Sequence, residues 1–370
     1  MKIDKLTENS NENIEYVFHH YKLIEHPITN NYFIKLLYSL IDKSRDLQVK
    51  HTMKELDKQP DVDSSNTFLS KEIKKIITGT RYRCFLISIK IEESQFNIEL
   101  FTKDKINMRR FIYYIKIVLK LCFKNAVTKE KGYNFKFILT DAVKSKPFKC
   151  ALPNNINSGY TVNHQEIVIF RKEELLKVFI HECFHMFCLD FSTHDIDYKP
   201  MFEPLFHIKS DFLLFESLCE FWARTLNVAL LSYYMQPNTS YKDFEDNFVV
   251  NLNLERVYSM IQMCNYLSCF NLTYDDLLKG TTKNYSETTN GFCYYVLTSV
   301  LLYNYQTTIN WFISHNETLL QFSKKERDIY LFYQYVRAVY KNNRFLEYIR
   351  SIQECKMDTM MMSVFDINIL

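Results

Sequence analysis

The sequence predicts an α+β fold, on three observations. Four short runs rich in branched and aromatic residues, 83–91, 96–101, 134–140 and 165–170, lie close together in the first half of the chain. Before and after them, apolar residues recur at helical spacing over much longer stretches. The chain is 370 residues long, 47% hydrophobic and 24% charged, which describes a folded protein with material for one large domain or several lobes. The expected organisation is a helical N-terminal appendage over 1–80, a mixed core over 81–237 and an all-helical C-terminal lobe over 238–370.

Within the appendage the clearest helical pattern is 31–47, polar links such as 59–65 follow, and 71–78 reads as a short helix stopped by Gly79. Runs 83–91 and 96–101, around the polar Glu92-Glu93-Ser94-Gln95, predict a hairpin. Asp104 is placed to cap an amphipathic helix ending near Phe123, and 134–140 is the next strand. A loop with Pro147, Pro153 and Gly159 leads to 165–170, which reads as a further short strand. Residues 171–180 then take up helical spacing, with Leu175, Phe179 and Phe184 on the inward stripe and Glu173 and Glu174 near the positive end of the helix dipole. A further helix over 211–235 has Ser210 as its candidate cap and Pro237 beyond its end. From about 240 onward the pattern is helical, and Met360 to Met362 suggests no more than an adaptable contact or a loose tail.

The chemistry is concentrated in His181-Glu182-Cys183-Phe184-His185. One helical turn puts residues i and i+4 on the same face, so both imidazoles can reach one metal ion, and Glu182 can reach a water on it. A catalytic zinc takes three protein ligands and keeps its fourth position for water. The third ligand is sought on the following helix, where Glu216 and Glu220 are again i and i+4 on an otherwise apolar surface. Buried carboxylates so placed need a cation or hydrogen-bond donors. The plainer alternative is two core histidines and a salt-bridged acidic face. His194 and His207 are rival third ligands, although His194 lacks the H-E-x-x-H-x-x-G-x-x-H spacing. Cys183 and Cys188 read as small core residues.

The pair H-E-x-x-H and Glu216-x-x-x-Glu220 resembles the gluzincin metallopeptidases, the group that includes thermolysin, whose second motif is E-x-x-x-D. The resemblance covers about seventy residues, from the expected edge strand to the second helix. It implies a zincin-like catalytic core, a small mixed sheet with an edge strand, the motif helix and a second ligand helix, flanked by helical regions. It further implies Zn2+ as cofactor, His181, His185 and Glu216 as ligands, Glu182 as general base and Glu220 as the partner of a histidine ligand. Glu220 stands where the family has Asp, and an alternative alignment makes Glu220 the ligand. By the same resemblance a peptide substrate adds as a strand along Glu166, Ile167, Val168 and Ile169, and an extra oxyanion donor comes from the C-terminal helices. The Arg171-Lys-Glu-Glu entry and the Glu220-Phe-Trp-Ala segment also look like metallopeptidase-like proteins of large DNA viruses.

The expected activity is therefore zinc-dependent peptide hydrolysis. The competing classes are an inactive zinc-binding structural or interaction protein and a DNA-associated, SprT-like protease. Residues 1–150 hold 28 Lys and Arg against 18 Asp and Glu, and the rest reverses the balance, for a net charge of +3. Lys103, Lys105, Arg109 and Arg110, with Lys144, Lys146 and Lys149, could attract nucleic acid, but solvated faces are the preferred reading and no nucleic-acid motif accompanies them. Ten scattered cysteines without C-x-x-C, no signal-peptide pattern and no apolar run long enough to span a bilayer predict a cytoplasmic location, a host cytoplasm or virion included, without a membrane partner.

Overall fold

The computed structural model describes residues 5–24, 28–45, 49–62, 66–147, 153–235, 239–352 and 357–370. Lys149, Cys150, Pro237, Cys355, the end of the 31–47 pattern and the expected boundary at 237–238 fall outside the described residues. The chain runs α1 (Glu8–His20), α2 (Asn31–Arg45), β1 (His51–Leu56), α3 (Lys71–Thr78), β2 (Arg83–Ile91), β3 (Ser94–Thr102), α4 (Met108–Phe123), β4 (Gly132–Ile138), α5 (Pro153–Ile156), β5 (Gly159–Val162), β6 (Glu166–Ile169), α6 (Leu175–Met186), α7 (Lys199–Phe206) and α8 (Leu214–Tyr234). It continues with α9 (Tyr241–Ser268), α10 (Tyr274–Lys279), a π-helical segment (Phe292–Leu297), α11 (Thr298–Tyr303), α12 (Tyr305–His315), α13 (Glu326–Val339) and α14 (Asn343–Ser351). One open mixed sheet beside a larger set of helices is a mixed α/β architecture, consistent with the expected α+β class.

The sheet is mixed, in the order β1-β2-β3-β4-β6-β5. β2 and β3 form the expected antiparallel hairpin, turned through Glu92 at φ 54°. β3, β4 and β6 are parallel, with α4 crossing between the first two. Phe135 and Phe137 of β4 place their rings 5.7 and 5.3 Å from Phe179 of α6, so the motif helix lies against the middle of the sheet. On the opposite face Cys84, Phe101, Ile138 and Phe170 pack under Ile73 and Ile77 of α3. One hydrophobic core runs from Leu6 to Ile369 and includes residues of all three expected segments.

The structure changes several local expectations. The strand at 165–170 is not an edge: β6 pairs with β4 on one side and with β5 on the other. Asn163 and His164, at φ 49° and 54°, turn the chain tightly enough for β5 to lie antiparallel beside it. β5 is the edge, and Ile167, Val168 and Ile169 are buried inside the sheet. The first eighty residues also supply a strand, β1, on the other edge. Asp104 does not cap α4; Asn107 does, accepting from the Arg110 amide at 3.1 Å, while Asp104 pairs with Lys172. Ser210 does not cap α8, which begins at Leu214 without a side-chain cap; its hydroxyl bonds Glu287 instead. The final stretch 357–370 is extended and threads back through the core, where Met360 to Met362 are buried. Its Thr359 bridges to Ser145 and its Ile367 to Leu6. No helix among the described residues is long and apolar enough to cross a membrane.

Candidate metal centre

α6 presents His181 and His185 on one face, and α8, packed against it, presents Glu216. The three side chains meet: His181 Nε2 lies 3.2 Å from His185 Nε2 and 3.2 Å from Glu216 Oε2, and His185 Nε2 lies 3.3 Å from the same carboxylate oxygen. Atoms bound about 2.0–2.1 Å from a tetrahedral zinc stand about 3.3 Å apart, so the triangle has the size of a zinc face.

The far sides of the rings explain why such a triangle needs a cation. His181 Nδ1 is 3.2 Å from Glu220, and His185 Nδ1 is hydrogen-bonded to Asp190, itself fully buried and held by Ser192. Asp190 takes the Nδ1–H of a neutral His185, and Glu220 stands at ion-pair distance from His181 Nδ1 without an aligned hydrogen bond; with both rings neutral, two Nε2 lone pairs and a carboxylate oxygen are aimed at one another. Only protons or a metal ion relieve that convergence. Burial opposes charge on the imidazoles, yet Glu216 and Glu220 raise His181, and Cys219, Glu216 and Asp190 raise His185. Glu216, whose second oxygen accepts from Asn290 at 3.2 Å, is held ionised against its own burial by His185 and His181. The three atoms could therefore hold a metal ion, with Glu216 beside the two Nε2 atoms and Glu220 behind His181. His185, Asp190 and Cys219 form a second metal-capable grouping that shares His185 with the first. His194 and His207 belong to neither grouping among the described residues.

Glu182 projects beside the triangle. Thr161 of β5 donates to its Oε2 at 2.8 Å, and burial pushes its carboxyl above the usual carboxylate range, partly countered by His181, His185 and Thr161. The site opens into a cleft of about 650 Å³ whose walls include Gly159, Tyr160 and Thr161 of β5, Phe215 of α8, and Asn290 and Tyr294 beyond it. Tyr294 stands edge-on to His181, ring centres 5.7 Å apart. Glu166, Ile167, Val168 and Ile169 do not reach the cleft; β5 occupies the place expected for them.

Below the triangle is a buried ionic chain. Lys177, one turn before His181, lies 3.1 and 3.2 Å from the two oxygens of Glu220 and 3.7 Å from Glu174. Glu174 also binds Lys144 at 2.7 Å and accepts the Met362 and Ser363 amides at 2.9 and 2.8 Å. Lys144 is thus a core residue and not part of a basic surface, and Lys103 is paired with Asp141. Asp190, Thr161, Lys177, Asn290 and Tyr294 were absent from the expected site. Lys177 carried a readable signal, the i, i+4 spacing to His181; Tyr294 carried none, being one of 26 tyrosines.

A mixed α/β protein with two histidines and a glutamate converging at a cleft is what the fold and site define. In comparisons with known proteins, no family model, curated protein or solved structure matches this chain.

Proposed function

We propose that this chain is a zinc-dependent peptidase with a zincin-like core, and that His181, His185 and Glu216 hold the metal while Glu182 is the general base. The observation that carries the reading is the 3.2–3.3 Å triangle of two Nε2 atoms and one carboxylate oxygen, each ring backed by a buried carboxylate. Zinc held by these residues would supply a Lewis acid and would acidify a water toward pKa about 7.

The protein's own groups do the rest. Thr161 holds Oε2 of Glu182 and so orients the carboxylate that takes the proton of the attacking water and returns it to the leaving amine. Tyr294 and Asn290, on the wall facing α6, are the donors placed to stabilise charge on the carbonyl oxygen. β5 offers a strand edge along which an extended peptide can lie. A site of this kind does not need a nucleic-acid cofactor, and the pairing of Lys103 and burial of Lys144 weaken the DNA-associated alternative.

The test is Glu182→Gln. This variant should bind zinc like the parent and lose about 10²- to 10⁴-fold in turnover of a peptide library. Undiminished turnover, or zinc retained when both His181 and His185 are replaced by Ala, would refute the assignment.

A further inference from the structure

We infer that the cleft takes the interior of an extended polypeptide whose residues beside the reacting bond are uncharged, with an aromatic or aliphatic side chain seated on Phe68 and Tyr160. The inference rests on the peptidase reading and concerns its substrate class. Endopeptidase action follows from it.

The first observation is the hydrogen-bonding parity of the free edge. Ser158 O accepts from Phe170 N, and β5 pairs with β6 in the register Tyr160↔Val168 and Val162↔Glu166. Bonding alternates along an antiparallel pair, so Tyr160 and Val162 face β6 with their amides and carbonyls, while those of Gly159 and Thr161 point to the open side. A substrate strand has two residues' worth of backbone to pair with, directly beside Glu182. Its side chains then alternate, one set toward α6 and the triangle, the other toward the face of Tyr160.

The second observation is charge. Among the described residues lining the cleft, the only ionisable side chains besides the tyrosines are Glu182, Glu216 and three histidines, all of them at or next to the metal site. An exopeptidase must hold a substrate terminus: an ammonium needs spare carboxylates, and a carboxylate needs Arg, Lys or a cluster of amides. Glu216 is committed to the imidazoles and Asn290, and Glu182 to catalysis. A terminus buried there without a partner would incur a desolvation penalty, whereas a peptide's interior brings no charge. Lys199, Glu203, Lys209 and Asp211 line a separate hollow across Thr288, Thr289 and Asn290, and Lys199 is already paired with Asp211 at 2.8 Å.

The third observation is the aromatic lining. Phe68 is 52% exposed yet stacked on Tyr160, ring centres 4.9 Å apart and planes 15° from parallel, and the Tyr160 hydroxyl is fixed by Asn66 at 2.7 Å. An exposed, pre-oriented ring pair next to a free strand edge suits a flat or branched apolar side chain.

Two measurements test this. Zinc-loaded protein is incubated with a proteome-derived peptide library and the cut sites are mapped by mass spectrometry; interior cuts with Asp, Glu, Lys and Arg depleted on both sides are expected. Separately, zinc-loaded Glu182→Gln is titrated with acetylated, amidated octapeptides centred on Phe-Leu, Lys-Leu or Asp-Leu, and with the free Phe-Leu dipeptide. The blocked Phe-Leu octapeptide should bind tightest, and Phe68→Ala in the same background should weaken it about three- to tenfold. Removal of terminal residues, preference for charged neighbours, or equal binding of all four probes would overturn the inference. Selective binding without any cleavage by the parent would leave the substrate class standing and remove the peptidase reading; cleavage without selectivity would do the reverse. No binding and no cleavage would remove both.

Discussion

Replacing Lys177 by Met tests whether the ionic chain under the metal site sets its properties. Lys177 and Glu220 are 2% and 1% exposed, and the ammonium lies within 3.2 Å of both Glu220 oxygens. Glu220 is held ionised, against its burial, chiefly by Lys177 and then by His181 and Arg224. Methionine leaves that carboxylate without its main cation in the core, and breaking one side of a buried pair costs about 3–5 kcal/mol. Glu174 is spared, since Lys144 and two amides still hold it. The remaining way to relieve the penalty is for Glu220 to take up a proton. A neutral Glu220 loses its electrostatic hold on His181, whose Nδ1 lies 3.2 Å away, and losing such a partner lowers metal affinity about 10–100-fold. Urea unfolding with and without zinc measures the first effect, and competition with a chromophoric chelator the second. The double variant Lys177→Met, Glu220→Gln should lose less stability than the sum of the single ones, because it removes both charges together. Strict additivity, with zinc affinity within about twofold of the parent, would refute the proposed chain from Lys177 through Glu220 to His181.

Two further outcomes follow from titration. Thr161→Val removes the hydroxyl that lowers the already raised Glu182 carboxyl, so the acid limb of kcat/KM should move to higher pH with the alkaline limb in place; an unmoved acid limb would mean that this hydroxyl does not act on the base. Asp366, pushed up to about 8 by burial and by Glu174 and Glu173, has a folded-state pKa above the unfolded value of about 3.9. Its contribution to stability is therefore full below about pH 4 and is lost as pH rises through about 8. Asp366→Asn should flatten the decline of Tm between pH 5 and pH 9, and parallel melting profiles for the two proteins would contradict this.

What the sequence revealed and what it hid have a common physical basis. The rings of His181 and His185 and the carboxylates of Glu216 and Glu220 were legible because each pair is set by one turn of a single helix, and the β2–β3 hairpin because its turn is local. β5 was missed because Gly159-Tyr-Thr-Val is four residues long and half-buried throughout, with none of the in-out alternation that marks a longer strand. β1 was missed because its first five residues are exposed and His51-Thr-Met-Lys-Glu-Leu carries no apolar face. The cost of missing β5 was specific: it moved the expected substrate strand one position inward, from the open edge to the buried β6. Asp190 reaches His185 through the left-handed turn at Cys188 that ends α6, which helical periodicity does not record; Tyr294 and residues 357–370 reach the site only through tertiary packing.

The longer arm at Glu220 is the point on which local pattern and tertiary structure meet. An aspartate four residues after Glu216 would end about one methylene short, roughly 1.5 Å, so a glutamate there must either crowd His181 or be drawn aside. In this chain Lys177 draws it: the carboxylate sits between the ammonium and His181 Nδ1 at nearly equal distances, 3.1–3.2 Å on either side. Lys177 in turn is neutralised from its other side by Glu174, which the amides of Met362 and Ser363 hold in place. The glutamate at position 220 and the return of the C-terminal segment beneath α6 are therefore parts of one arrangement. It follows that Glu220→Asp, conservative in charge, should weaken zinc binding in the native background, because the shortened carboxylate cannot span from Lys177 to His181. Equal zinc affinity in Glu220→Asp would show that the extra methylene has no such role.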